Sequence, residues 1–262
     1  MRFVDLSAPI RPDPPAPIRS GPPELVDVLR TDVSYHDHAA GAAAIQAYFG
    51  VGAELLRDGE GWAVDTFTRL GTHNTTHVDA PWHYNSTIAG QKAQAIDELP
   101  LDWFFAPGVV IDATDRADGE SLTAADVRAR LPRPLVARDI ILVHSGRDAF
   151  YDEPDYIARG PGVSAQATRW LYEQGVRVMG IDAWGWDAPL HLQAALAKAE
   201  QQPGIFWAAH QTDLAYAQIE RLVNLASVPP HGFTVACFPL RLVGGSAGPA
   251  RVVAILPDDE QA

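Results

Sequence analysis

Short apolar runs rich in β-branched residues recur along the chain, at Gly108–Asp112, Asp139–His144, Val176–Asp182, 232–238 and 251–256. Runs of this length bounded by turn-forming residues predict strands. Between them the spacing of apolar positions becomes helical. Ser121-Leu122-Thr123-Ala124-Ala125-Asp126 opens one helix, and Ser164 stands where it can cap another, whose apolar face uses Ala167, Trp170 and Leu171 before Gly175 ends it. The alanine-rich stretch 39–57 predicts helix in part, interrupted by Gly50 and Gly52 and followed by a turn at Asp58–Gly61. Strands alternating with helices predict an α/β domain with some parallel pairing. Residues 1–24 are rich in proline and predict an extended arm that opens with a short strand at Phe3–Leu6.

Composition narrows the classes of function. The chain has 262 residues, 47% hydrophobic and 20% charged, which suits a globular protein. With no repeat and no low-complexity linker, residues 1–262 are expected to form a single domain that carries the arm at 1–24. Twenty Lys and Arg against 33 Asp and Glu leave a formal charge of −13 with no basic run, so a nucleic-acid partner is not expected. The single cysteine, Cys237, lies in the apolar run Phe233–Phe238, which excludes an intramolecular disulfide and predicts a small buried side chain. The N-terminus lacks the uninterrupted apolar stretch of a signal peptide and no window reaches the length of a membrane span. The expectation is a cytoplasmic protein with a small-molecule partner and no membrane contact.

One polar stretch stands apart. "GTHNTTHVDAPWHYN", residues 71–85, contains His73, His77, Asp79 and His83 in a chain with only nine histidines. All four positions are odd, so an extended segment would present them on one face. A helix would turn Asp79 away, Pro81 would break its hydrogen-bond ladder, and Thr75, Thr76 and Val78 favour extension. The cluster is therefore expected on a strand or extended loop. His73, His77 and Asp79 make a metal-ligand set suited to zinc or manganese, with coordination positions left for water and substrate. Such a metal lowers the pKa of bound water and polarises a carbonyl, and His83 is the candidate to move protons beside it. The plainer alternative is a polar surface loop.

Two rival chemistries can be weighed from the sequence. Gly244-Gly245-Ser246-Ala247-Gly248 fits a serine-hydrolase elbow, but no histidine follows His231 and Pro249 leads toward another apparent strand. A glycine-rich hairpin turn explains these residues better. A non-catalytic metal- or ligand-binding protein remains an alternative.

The stretch His73-Asn74-Thr75-Thr76-His77-Val78-Asp79-Ala80-Pro81-Trp82-His83 resembles the His-x-Gly-Thr-His-x-Asp-x-Pro-x-His signature of the cyclase family, to which bacterial kynurenine formamidase and isatin hydrolase belong. The departure is Thr75, where the family usually has glycine. Segments 96–114, 162–187 and 224–256 also look like family segments. The resemblance implies a mixed α/β fold with a β-barrel-like core and surrounding helices, and a homodimer or homotetramer. It also implies hydrolysis of an amide C–N bond in a small cyclic or aromatic substrate such as isatin or N-formylkynurenine, with lactones and cyclic imides as alternatives. By position it brings in His210 and Glu220, as catalytic groups or as ligands of a second ion, and it leaves open Zn2+ or Mn2+ and one or two ions. For Glu220 the competing reading is a solvated glutamate on a helix beside Arg221. Trp62, Phe67, Trp82, Trp184, Trp186 and Trp207 are candidates to line an apolar slot for a flat ring, with core packing the alternative for each.

Overall fold

The computed structural model describes residues 1–12 and 30–258. The arm is seen from Met1 to Pro12, and its predicted opening strand is β1 (Arg2–Asp5); residues 13–24 of the arm lie outside the described residues.

The predicted apolar runs form strands. Among the described residues they are β7 (Phe105–Asp112), β8 (Ile140–His144), β9 (Val178–Ile181), β11 (Phe233–Ala236) and β13 (Val253–Leu256). They join β4 (His77–Asp79), β10 (Ala217–Glu220) and β12 (Ala247–Pro249) in a nine-stranded sheet of order β1-β13-β11-β7-β8-β9-β10-β4-β12. The run from β7 through β8 and β9 to β10 is parallel and both flanks are antiparallel. Two small antiparallel pairs stand outside it, β2 (Asp32–His36) with β3 (Val64–Arg69) and β5 (Thr87–Ile88) with β6 (Gln91–Lys92).

The sheet curls into a half-barrel around one apolar cluster that gathers side chains from β13, next to one edge, to β4, next to the other, including Ala254, Phe233, Val110, Leu142, Val178, Ile219 and Val78. Gly108 permits this curl. A Cβ there would lie 2.2 Å from the ring of Phe233 on the neighbouring strand. The opposite face carries Val109, Ile111, Ile141, Val143, Met179 and Ile181 and packs against helices.

Helices are numbered in chain order as α1 (His38–Phe49), α2 (Pro81–Tyr84), α3 (Ala124–Ala129), α4 (Ala165–Glu173) and α5 (Leu190–Glu200). The expected cap is in place, with Ser164 Oγ accepting from the Ala167 amide, and Ala167 and Leu171 are fully buried. The α3 helix starts after Thr123, whose hydroxyl and Asp126 form a capping box. Residues 242–245 make the expected turn, the Gly245 amide donating to the Leu242 carbonyl, between Pro239 and Ala250, which bridge antiparallel. The turn leads into β12, which pairs with β4, because the Ser246 carbonyl accepts from the Ala80 amide and draws this segment to the histidine stretch. No helix among the described residues is long and apolar enough to cross a membrane.

Candidate metal centre

The histidine stretch is only partly extended. His77 and Asp79 occupy β4, His73 sits in the turn before it, and His83 is carried by the single turn of α2. Pro81 therefore starts a helical turn instead of preventing one. It stands at the N-terminal end of α2, where a backbone N–H would have no intrahelical partner. That turn exposes Trp82 and swings His83 inward, 4.2 Å from the His73 ring, centroid to centroid.

Strand register supplies the rest. β10 is antiparallel to β4 and sets Glu220 opposite His77. Glu220 is in a strand and buried, not on a solvated helix. His77 Nε2 lies 3.2 Å from Asp79 Oδ1 and 3.8 Å from Glu220 Oε2, while His73 Nε2 lies 3.0 Å from Asp79 Oδ1. The other ring nitrogens are held by the chain. His77 Nδ1–H donates to the Thr75 carbonyl (2.7 Å), and His73 Nδ1 lies 2.9 Å from Thr72 Oγ1. Both Nε2 atoms are thereby aimed at Asp79.

Yet His73 Nε2, His77 Nε2 and both carboxylate oxygens of Asp79 are buried with no aligned hydrogen-bond partner. Convergent orphaned nitrogens and oxygens of this kind suit a cation, since the alternative is a desolvated cluster without compensation. Two overlapping triads have ligand atoms close enough to hold an ion, His73–Asp79–His83 and His77–Asp79–Glu220, with Asp79 common to both. His83 thus belongs to one of the two possible ligand groups, besides being the candidate for proton transfer.

Electrostatics differentiate the histidines. Burial lowers the His83 pKa to about 4, keeping the ring neutral and able to accept a proton. Burial would also lower His210, but hydrogen bonds to Asp187 and Glu220 push it up to about 10. Burial opposes ionisation of Asp79, and the imidazoles of His77, His83 and His73 gathered around it nevertheless hold it well below the carboxylate range. Glu220 is likewise lowered against its burial, by His210.

A cavity of about 240 Å³ opens on this cluster, with His73, His83, Trp184, Trp207, His210 and Arg221 in its wall. Trp207 stacks on His210 at 4.6 Å and 12° and meets His83 edge-on at 5.1 Å. The other aromatic candidates lie elsewhere. The indole of Trp186 is wholly buried in the helix-side core, where Nε1–H finds Thr168 Oγ1 at 2.9 Å, and its backbone amide donates to Glu220. Trp62, Phe67 and Trp82 are exposed and do not line the cavity, Trp62 packing edge-on against Phe49. Thr75, the departure from the family motif, also faces away. Its hydroxyl donates to the Ala8 carbonyl at 2.9 Å and ties down the arm.

Sequence reasoning passed over Asp187 and Gln193. Asp187 Oδ2 lies 2.5 Å from His210 Nδ1 and its carboxylate accepts from the amides of Ala209 and His210, and Gln193 Oε1 accepts from the Trp207 amide. Neither stands at a motif spacing from its partner, so no local pattern marked it.

The profile of the family described as "Putative cyclase" matches residues 4–188. The chain belongs to the cyclase family. Among its relatives, the kynurenine formamidase of Salinibacter ruber is 32% identical over 187 residues, 71% of this chain and 76% of that protein. Isatin hydrolase A from Labrenzia aggregata, solved with benzyl benzoate, superposes with a TM-score of 0.71 at 23% identity, covering 97% of this chain and 93% of its own. A protein described as a potential metal-dependent hydrolase with cyclase activity gives a TM-score of 0.62 at 22% identity, over 98% of both chains. These superpositions place the curled mixed sheet among cyclase-family folds, with the histidine motif at one end of the sheet.

Proposed function

We propose that this cyclase-family protein is a metal-dependent hydrolase that cleaves the C–N bond of a small aromatic or cyclic amide, of which isatin and N-formylkynurenine are examples. The observation that carries the reading is the convergence of orphaned, buried His73 Nε2, His77 Nε2 and Asp79 oxygens beside an aromatic-walled cavity. His73, His77 and Asp79 would hold a divalent ion, with Glu220 beside His77 as a further candidate ligand. When bound, such an ion supplies Lewis-acid polarisation of a carbonyl and activation of water.

The chain's own residues account for the remaining work. His83, neutral in its buried setting, accepts a proton at a ring nitrogen and returns it to the departing amine. His210 keeps its proton between Asp187 and Glu220 and presents a fixed positive charge in the cavity wall. Trp184 and Trp207 offer flat apolar surfaces to a ring. Zinc or manganese in one or two ions, a homodimer or homotetramer, and a cytoplasmic location complete the proposal, and relatives named kynurenine formamidase and isatin hydrolase support the substrate class.

Metal analysis of the purified protein should find zinc or manganese. A hydrolysis screen over isatins, N-formyl aromatic amines, cyclic imides and lactones should then find turnover that His83→Ala lowers by roughly 10²–10⁴-fold while metal content is kept. A protein that holds no divalent metal and cannot be reconstituted with one overturns the reading.

A further inference from the structure

Two arginines line the cavity, and they differ in how their charge is met. Arg159 lies 2.6 Å from Asp155 and 3.7 Å from Asp118, so carboxylates of the protein balance it. Arg221 is only 4% exposed and forms no ion pair among the described residues. Its guanidinium donates to backbone carbonyls instead, from Nη1 to His73 and from Nε to Trp184 at 3.4 Å, and lies over the Trp184 ring 3.7 Å from its centroid. Nη2 has no acceptor among the described residues and is not an enclosed orphan, so it is left to the cavity that Arg221 lines.

The backbone at this residue is also unusual. Arg221 adopts φ +60, the left-handed region that a long side chain seldom occupies. A strained backbone, a buried charge without a counter-ion and a place in the wall of the candidate active site coincide at one residue. Burial of an unmatched guanidinium is costly, and an anionic ligand in the cavity removes that cost. A planar carboxylate is the matching group, because the guanidinium fork recognises it through directed N–H donors and the stack on Trp184 fixes the plane of that fork.

We infer that Arg221 is a substrate-binding residue and that the substrate is an anion, an aromatic amide bearing a carboxylate apart from the bond that is cleaved. The inference rests on the hydrolase reading for the word substrate, but the anion site itself stands on the geometry of Arg221 alone. Neutral ring amides are then poorer substrates than their carboxylated counterparts.

The test uses full-length, metal-reconstituted protein and the pair formanilide and formamidobenzoate. The expected result is a kcat/KM at least tenfold higher for the carboxylated member. That ratio should fall at least tenfold in Arg221→Met and partly recover in Arg221→Lys, which restores charge but not the planar fork. No preference in the wild-type protein overturns the inference, and so does an equal loss on both substrates in Arg221→Met, which would mark Arg221 as a support for His73 and nothing more.

A second measurement needs no turnover. Benzenesulfonate, a weak ligand for divalent metals, should bind the wild-type protein in titration calorimetry and bind Arg221→Met at least tenfold more weakly, with metal content checked in both. Equal affinity, or no binding to wild type, overturns the anion site. Sulfonate binding without turnover of any amide would count against the hydrolase reading while upholding the anion site.

Discussion

The centre of the sheet and its β4 end follow one geometric rule to opposite ends. In β8, Ile140 and Leu142 enter the core inside the half-barrel, Ile141 and Val143 enter the core beneath the helices, and all four are fully buried. In β4 and β10 the same alternation sends Val78, Ala217 and Ile219 into the inner core, while His77, Asp79, Gln218 and Glu220 are buried on the other side. At the centre, burial of apolar surface contributes roughly 25 cal/mol per Å². At the β4 end, buried carboxylates and imidazoles cost free energy until something charged meets them. The centre holds the fold together, and the β4 end uses that stability to keep unsatisfied ligands in register.

Asp79→Ala should separate the two regions most sharply. Asp79 is common to both triads, so metal content should collapse and kcat/KM should fall by roughly 10³ or more, the loss of several kcal/mol of charge stabilisation at 1.36 kcal/mol per tenfold. Circular dichroism should still show a folded chain, and a variant that unfolds would mean that the two regions are not separable.

Leu142→Ala strikes the other region. It should cost about 2–5 kcal/mol in denaturant unfolding while the metal stoichiometry of the folded protein stays as in wild type. Loss of metal from the folded fraction would show that the centre and the site are coupled.

The metal-free protein should show the opposed histidines in its stability profile. His83, lowered from 6.5 to about 4, subtracts stability as pH falls from 6.5 toward 4, because the unfolded chain takes up that proton first. His210, raised from 6.5 to about 10, adds stability that is full below 6.5 and is lost as pH rises toward 10. Their joint contribution peaks near pH 6.5, and Asp187→Asn should flatten the alkaline side of the melting-temperature profile. An unchanged alkaline slope would remove Asp187 as the partner that holds the His210 proton.

Thr75→Gly should have the smallest effect. It removes the hydrogen bond to the Ala8 carbonyl, about 1 kcal/mol, and adds backbone freedom worth a further 0.5–1 kcal/mol or so, with little change in kcat/KM because the side chain faces away from the cavity. A large kinetic effect would mean that the arm, not the Thr75 hydroxyl, governs the site.

What could be read from local pattern was local in its physics. The five apolar runs became strands, Ser164 capped its helix and Cys237 was buried, because alternation, capping and apolar enrichment act over a few residues. The grouping of His73, His77, Asp79 and His83 was legible for the same reason, although three different local structures, the turn before β4, β4 itself and the single turn of α2, deliver it.

Partners far apart in the chain were another matter. Glu220 meets His77 only because β10 pairs with β4, Asp187 meets His210 across 23 residues, and Arg221 gains its place over Trp184 from the turn that follows β10. Trp184 and Trp186 are near neighbours in sequence, yet one lines the cavity and the other fills the core where Thr168 offers an acceptor. Residue types and spacings settled which groups could bind a metal, since those choices depend on each side chain and its near neighbours. Strand order and register settled which groups face one another, since pairing across the sheet depends on the burial of every strand at once.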